Sequence, residues 1–144
     1  MDHQMYVLDA ELIGFDGVRR AIGVRDDLTL VDLHYALQSA FGWDDDHLYA
    51  FWPDGGFWAA ERDHYVHPSH AATSDPFGHS ACERLGNLEL RRGQRIAYVF
   101  DFAREWRVEL TVRAIEPDGE RRSPRLLGSA GVAPPQYEAL AALR

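Results

Sequence analysis

Residues 28–51, LTLVDLHYALQSAFGWDDDHLYAF, decide the fold of this chain. Thr29 and Asp32 have the spacing of a capping box, in which two residues satisfy each other's backbone amides at the start of a helix. Four apolar residues then recur at helical spacing and predict a buried stripe: Leu30, Leu33, Leu37 and Phe41. Gly42 suits the left-handed conformation that ends a helix, so the segment predicts one capped helix followed by a strand over 47–52.

Alternating apolar and polar residues outside this segment predict β-strands. Residues 6–13 and 18–25 alternate on either side of a GFDG turn and form the first expected hairpin. Residues 95–102 and 106–114 give the clearest strand pair. Residues 57–61, after a PDGG turn, are the expected hairpin partner of the strand that follows the helix.

The C-terminal part of the chain has a different pattern. Residues 117–133 are polar and contain Gly and Pro, which predicts a loop. Pro134 and Pro135 are then expected to open a short helix, because proline suits the first helical turn. The predicted fold class is therefore α+β: a mostly antiparallel β-sheet with one main helix packed across a face and a short C-terminal helix.

The composition favours one domain over residues 1–144, with 46% hydrophobic residues to supply a core. A single cysteine, Cys82, excludes an internal disulfide and a four-cysteine zinc site. All 15 basic residues are arginine, so a Schiff-base lysine and a P-loop lysine are impossible. The N-terminus lacks the pattern of a signal peptide, and no apolar run reaches the roughly 18 residues of a membrane span. We therefore expect a cytoplasmic protein without membrane contact.

The formal charge of −8 is unevenly distributed along the chain. Acidic residues dominate residues 1–90, whereas arginine is in excess over residues 91–144. An acidic chain repels phosphate backbones, which disfavours nucleic acid as a partner. Two arginine groups keep a local nucleic-acid patch open as an alternative: Arg91, Arg92 and Arg95, and Arg121, Arg122 and Arg125.

Four blocks of this sequence resemble the plasmid pRiA4b ORF-3-like proteins. In chain order they are DGVRRAIGV (16–24), TLVDLHYALQ (29–38), GWDDDHLYAF (42–51) and YVFDFAREWR (98–107). The blocks lie within a matched core of residues 6–115. The resemblance leaves residues 62–84 as a variable loop and residues 117–144 as a C-terminal extension.

The chain departs from the family's pattern at several positions. Val18 stands where members usually have Trp, and Ala103 and Arg104 replace the glycine and second acid of a DFGD motif. Arg107 replaces the closing His, and the acidic PPED tail is reduced to Pro-Pro-Gln-Tyr at 134–137. The resemblance implies a compact α+β fold with a sheet and a crossing helix, and a possible mobile-element origin. It implies no established activity.

The loop over residues 62–84 carries the residue types that zinc prefers. It contains H-x2-H-x2-H-x8-H-x2-C, formed by His64, His67, His70, His79 and Cys82. The spacing matches no standard zinc finger, and histidine tracts without a paired framework are more often solvated surface. We therefore predict no cofactor, with zinc at this loop as the alternative.

A second candidate site is a cleft between the helix and the strands. If the helix flank meets the strand pair, six side chains could line it: His34, Gln38, Trp43, His47, Asp101 and Trp106. A carboxylate that orients an imidazole is the minimal general-base unit, although the same pair also serves as a buried structural hydrogen bond. The Asp triplet at 44–46 lacks the framework of a calcium loop and is interpreted as a solvated turn.

These observations favour a small non-catalytic domain that acts through contact with an unknown protein partner, as an interaction or accessory protein. The first alternative is a metal-dependent or acid–base enzyme that uses the His/Asp cleft. The second is a nucleic-acid-associated protein that uses the C-terminal arginine groups. No substrate, reaction or oligomeric state follows from the sequence.

Overall fold

The computed structural model describes residues 3–71, 75–118 and 124–136. Within these residues the chain forms eight strands, one α-helix and two short 3-10 turns. The elements are β1 (His3–Leu12), β2 (Arg19–Arg25), α1 (Leu30–Phe41), β3 (Tyr49–Trp52), β4 (His64–Val66), β5 (Gly78–Ser80), β6 (Arg95–Phe100), β7 (Trp106–Asp118) and β8 (Arg125–Ala130). The 3-10 turns span Pro68–His70 and Leu85–Leu88.

The helix α1 has the caps that the sequence predicts. The Thr29 side chain accepts a hydrogen bond from the Asp32 amide, and the Asp32 carboxylate accepts one from the Thr29 amide at 2.8 Å. Gly42 has φ 75° and ends the helix. The predicted apolar stripe is buried, and two polar residues of the same helix, His34 and Gln38, are buried beside it. No helix in the described part of the chain is long and apolar enough to cross a bilayer.

All eight strands belong to one sheet with the order β5-β4-β3-β6-β7-β1-β2-β8. The neighbours pair antiparallel except β4 and β5, which run parallel. The described sheet is therefore mostly antiparallel, as predicted, and becomes mixed through one parallel pair that the sequence does not predict. Strands β4 and β5 have three residues each, and such short segments carry no readable period.

The main core lies between α1 and one face of the sheet. Every residue of β3 is buried because both faces of this strand are covered. Tyr49 and Phe51 belong to the main core, whereas Ala50 and Trp52 join a second cluster on the opposite face, where Phe57 packs against them.

The predicted partner of β3 is wrong. Residues 57–61 form turns, and β3 instead pairs with β6 and β4. The aromatic residues at 57–58 lie over the second cluster, so their apolar character serves packing across the face of the sheet.

The C-terminal predictions are also corrected. The expected loop at 117–133 contains the end of β7 and the whole of β8. The short C-terminal helix is not formed at residues 134–136, where it was expected to begin, because Gln136 is bound to the turn that follows α1. The remainder of that prediction, residues 137–144, lies outside the described residues.

Candidate functional site

A buried hydrogen-bond network surrounds His34 on α1, which is only 1% exposed. Its Nε2 lies 2.7 Å from Oδ1 of Asp45, and its Nδ1 lies 2.8 Å from the hydroxyl of Tyr98 on β6. The imidazole stacks on the ring of Tyr49, with 3.6 Å between ring centroids and 11° between planes. Gln38, one turn further along α1, donates from Nε2 to the Tyr98 hydroxyl at 2.9 Å.

The positions of the hydrogens in this network follow from which groups can donate and which can only accept. An Asp45 carboxylate only accepts, so Nε2 of His34 carries the hydrogen. Nδ1 then accepts from the Tyr98 hydroxyl, which in turn accepts from Gln38. Burial lowers the pKa of His34, although the hydrogen bond to Asp45 opposes this effect. Both ring nitrogens of a neutral His34 are therefore occupied, and the residue is not placed to take a proton from a substrate.

Asp101 performs a structural task in the turn after β6. It has φ 62°, and its Oδ1 accepts from the amides of Ala103 at 3.2 Å and Arg104 at 3.3 Å. Its Oδ2 lies 3.5 Å from Nε2 of His47, which is also 3.4 Å from Oδ1 of Asp46. Asp101 thus holds the turn with one oxygen and orients His47 with the other.

Trp43 and Trp106 belong to an aromatic stack inside the core. Trp43 packs on Phe41 at 4.9 Å and Phe100 at 5.5 Å between centroids, and Trp106 lies 5.7 Å from Trp43. Both tryptophans are buried, and neither indole N–H has a hydrogen-bond partner in the described segments. These two side chains are placed to stabilise the core and do not line an open surface.

Of the six predicted cleft residues, only His47 reaches an open depression. This cleft, about 430 Å³ in volume, is lined by Asp45, Asp46, His47, Leu48, His67 and His70. The other five predicted residues are buried. Sequence reasoning missed Tyr98 and Asp45, which complete the His34 network. Tyr98 alternates with Phe100 along β6, and that period places both on the face that meets α1.

The five candidate zinc ligands of the 62–84 loop do not converge. His64 and His79 pair with two different carboxylates, those of Asp75 at 3.4 Å and Asp63 at 2.9 Å. His67 and His70 lie together, each with Nδ1 bonded to the hydroxyl of Ser69 at 2.7 and 2.9 Å. Cys82 is exposed near a separate depression that is lined in part by His79.

One set of three potential metal ligands in the described residues has its ligand atoms within 4.8 Å: His3, Asp26 and Asp27. Both carboxylate oxygens of Asp27 accept from the guanidinium of Arg25, at 2.8 and 3.1 Å. His3 is bonded to Asp26 at 2.9 Å. A cation at this set would compete with the Arg25 charge, so these contacts are explained as ion pairs between β1, β2 and the turn after β2.

The described arginines of the two groups named in the sequence analysis lie in different environments. Arg91 and Arg92 are exposed, and Arg95 lies 3.8 Å from Glu109. Arg125 donates to the sulfur of Met5 at 3.0 Å. Arg121 and Arg122 lie outside the described residues.

Arg20 has a structural environment of its own. It is buried, lies over the ring of Phe41, and donates to the carbonyl oxygens of Ala40 and Ala130, both at 2.9 Å. Its guanidinium therefore connects the C-terminal end of α1 to the end of β8.

The turn between α1 and β3 is held from both sides. From the inside, His34 donates to Asp45. From the outside, the side chain of Gln136 accepts from the Asp44 amide at 2.6 Å and donates to Asp46 at 3.2 Å. The segment after β8 therefore fixes the wall of the His47 cleft.

The sheet ends at β8, which pairs with β2 on one side and with no described strand on the other. Leu126 is 56% and Leu127 is 44% exposed. Leu126 lies in a groove of about 310 Å³ between β8 and α1, and Tyr35 of α1, 53% exposed, lines the same groove. An unpaired strand with exposed leucines is a surface that other chains can pair with.

The profile of the family described as "Plasmid pRiA4b ORF-3-like protein" matches residues 4–137. This chain belongs to that family. No functionally curated protein matches it.

In this pRiA4b ORF-3-like protein the four sequence blocks meet around α1. The Arg pair contributes Arg20 at the helix end, and the helix block contributes His34 and Gln38. The block at 42–51 contributes Asp45, and the strand block contributes Tyr98. The family pattern in this chain therefore coincides with buried contacts of the fold.

The family member also resembles a solved structure. It is similar to the crystal structure of a protein of unknown function, MM3350 from Methanosarcina mazei Go1. The TM-score is 0.77 at 23% identity, over 99% of this chain and 82% of that chain. This similarity supports the fold of the pRiA4b ORF-3-like chain and carries no activity.

Proposed function

We propose that this protein is a non-catalytic protein-interaction domain and that the β8 edge is the surface it uses. The observation that carries the proposal is the position of Leu126 and Leu127 on a strand whose outer side has no neighbour among the described residues. The unpaired amides and carbonyls of such a strand can add a strand from another chain, and the flanking side chains then supply specificity.

The buried polar residues support the same proposal because their hydrogen bonds argue against a catalytic role. His34, Gln38 and Tyr98 bond to one another inside the core, and Asp101 is committed to a turn. A catalytic group must reach the atom on which it acts. The first three side chains instead stabilise the packing of α1 against β6, and Asp101 stabilises the turn that follows β6.

The test uses three folded forms of the full chain as bait: the wild type, Leu126→Glu and Ile13→Glu. It compares the proteins that each form captures from a lysate of the source organism. Leu126→Glu places a charge on the edge, and Ile13→Glu makes the same change at a residue 42% exposed elsewhere on the surface. We expect quantitative mass spectrometry to find specific partners with the wild type and Ile13→Glu that are lost with Leu126→Glu. Equal capture by all three forms would contradict the proposal.

Asp101→Ala separates this proposal from the enzyme alternative. An interaction domain keeps its partners after this change, provided that circular dichroism shows a folded protein. Loss of the biological function in a folded Asp101→Ala protein that still binds its partners would favour catalysis.

An acid–base enzyme is the second candidate, and the orientation of His47 by Asp101 at the rim of the open cleft is the observation that favours it. A carboxylate beside an imidazole can support general-base catalysis. A screen with simple ester and phosphoester substrates tests this candidate. Turnover that disappears in His47→Ala and persists in Leu126→Glu would support it, and absence of turnover would count against it.

The cytoplasmic location and the mobile-element origin stay predictions. A fluorescent fusion in the source organism tests the location, and the genes that flank this one test the origin.

A further inference from the structure

The open cleft beside α1 is lined mostly by side chains that can bind a metal ion. Five of its six lining residues are histidines or aspartates: Asp45, Asp46, His47, His67 and His70. They come from two turns that are distant along the chain. Ala50 of β3 pairs antiparallel with Val66 of β4, so the turn before β3 and the 3-10 turn after β4 lie at the same end of the two strands. The fold therefore brings both turns to one cleft.

The hydrogen bonds of Ser69 involve only the Nδ1 atoms of His67 and His70. The Ser69 amide donates to Nδ1 of His67 at 3.1 Å, so this nitrogen carries no hydrogen. The Ser69 hydroxyl, 2.7 Å away, therefore also donates to it. The hydroxyl oxygen then accepts from Nδ1–H of His70 at 2.9 Å. In the neutral ring of His70, Nε2 is left with a lone pair that can bind a cation.

The Asp45 carboxylate is held at the wall of the same cleft by a buried donor. Its Oδ1 accepts from Nε2 of His34, which is 1% exposed and is bonded to Tyr98 through its other nitrogen. Hydrogen bonds of this kind orient the carboxylates that bind metal ions. Asp46 and His47 of the same turn instead pair with each other at 3.4 Å.

The ring of Tyr49 connects His67 to this network. Tyr49 stacks on His34 with 3.6 Å between ring centroids and meets the ring of His67 edge-on at 6.1 Å. The ring centroids of His67 and His70 are 5.7 Å apart. Two imidazoles that share a tetrahedral zinc ion through Zn–N bonds of about 2.1 Å have centroids about 5 Å apart. The spacing of this histidine pair is therefore close to what one ion requires.

We propose that His67, His70 and Asp45 form a binding site for a divalent transition-metal ion of the zinc class. Zinc takes imidazole and carboxylate ligands, and its open sites use three protein ligands and keep a further position for water. The three ligand atoms do not all lie within 4.8 Å of one another, so binding requires a side chain to rotate. All three residues are exposed, so this rotation displaces water and leaves the core packing intact.

An ion at this site would change the hydrogen bonds of Ser69 in a defined way. Coordination through Nε2 requires His67 to carry its hydrogen on Nδ1. The Ser69 hydroxyl then accepts from the Nδ1–H groups of both histidines, because its oxygen has two lone pairs. The hydrogen of His67 moves from Nε2 to Nδ1 through water, so a neutral ring releases no net proton. Ser69 thus orients both imidazoles when the ion is bound.

Isothermal titration calorimetry with zinc chloride tests the proposal on the untagged full chain after treatment with a chelator. We expect the wild type to bind a single zinc ion. His70→Ala and Asp45→Asn should each raise the dissociation constant by about tenfold or more, because each removes a ligand. The asparagine can still accept from His34, and circular dichroism checks that both variants fold.

Three control variants remove residues of the same types outside the proposed site. Asp44→Asn changes the neighbouring carboxylate, His79→Ala removes a histidine that pairs with Asp63, and Cys82→Ser removes the only thiol. We expect all three to bind zinc as the wild type does. Absence of zinc binding, equal affinity in all variants, or loss of binding in His79→Ala or Cys82→Ser would overturn the proposal.

Nuclear magnetic resonance of the histidine rings provides a second measurement on the wild type itself. Long-range proton–nitrogen correlations distinguish the two neutral tautomers of each ring. We expect His67 to carry its hydrogen on Nε2 without zinc and on Nδ1 with zinc, while His79 stays unchanged. A His67 tautomer that saturating zinc leaves unchanged would contradict the site. This proposal does not depend on the interaction function, because both measurements detect zinc and neither requires a partner.

Discussion

The two buried tyrosines that contact His34 provide a matched pair of substitutions with opposite expected effects. The hydroxyl of Tyr98 bonds to both His34 and Gln38. The ring of Tyr49 stacks on His34, but its buried hydroxyl has no hydrogen-bond partner among the described residues. Tyr98→Phe and Tyr49→Phe delete the same atom from the same core.

The magnitudes follow from which polar groups lose a partner. Tyr98→Phe leaves Nδ1 of His34 and one N–H of Gln38 buried and unsatisfied. Each such group costs about 1–3 kcal/mol, so we expect the free energy of unfolding to fall by about 2–4 kcal/mol. Tyr49→Phe removes a polar group that is already unsatisfied, so we expect a change between no loss and a gain of about 1 kcal/mol.

Urea unfolding followed by circular dichroism measures both changes, with equal slopes against denaturant as the check that the unfolded states are comparable. Equal destabilisation by Tyr49→Phe and Tyr98→Phe would contradict these assignments. An unchanged free energy of unfolding in Tyr98→Phe would also contradict them, because the network would then contribute nothing to stability.

Three further predictions concern His34, Arg20 and Gly131. Because burial lowers the pKa of His34 below its ordinary 6.5, the unfolded chain binds a proton first as the pH falls. The free energy of unfolding should therefore decline below about pH 6.5, and denaturation at several pH values should show a smaller decline in His34→Asn. Arg20→Met should lower the free energy of unfolding by about 2–3 kcal/mol, because the charged hydrogen bonds to two carbonyl oxygens are lost. The same change at the exposed Arg19 should have little effect, and equal effects at the two positions would contradict the structural role of Arg20. Gly131→Ala should cost about 1–3 kcal/mol, because its φ is 74° and a Cβ atom would lie 2.5 Å from a carbonyl oxygen. Gly14→Ala is the control: Gly14 has φ 89°, but a Cβ atom there would have no neighbour within 4 Å among the described residues, so the change should cost less in the same urea unfolding experiments.

The sequence is most informative where local chemistry and packing agree. The helix α1 follows from its capping residues, its apolar stripe and Gly42, all of which the structure retains. The strands β6 and β7 follow from their alternation, since the larger apolar residues of each strand face the main core. The smaller Ala97 and Val99 of β6 face the second cluster.

The sequence is least informative where pairing with a distant segment stabilises an element. Strand β8 has an exposed RLLGSA sequence interrupted by a bulge, so the period of two is lost. Its conformation depends on β2, more than a hundred residues away along the chain. The parallel pairing of β4 with β5 could not be predicted for another reason: each strand has three residues, too few to show a period.

The candidate site illustrates a different limit of prediction from the sequence. The sequence places His34 and Asp101 on faces that could meet, but it does not indicate which atoms are already satisfied. Tyr98 and Asp45 occupy both nitrogens of His34, and the turn amides occupy one oxygen of Asp101. The predicted cleft is therefore divided into a buried network and an open depression that retains His47.

Amide hydrogen exchange, measured with and without the captured partner, tests whether the β8 edge is the interaction surface. We expect slower exchange in the associated state over β8, residues 125–130, and over the neighbouring outer side of α1. We expect no change over residues 44–48 and 64–70, which surround the open cleft. Protection confined to the cleft, with β8 unchanged, would contradict the assignment of the edge strand as the interaction surface.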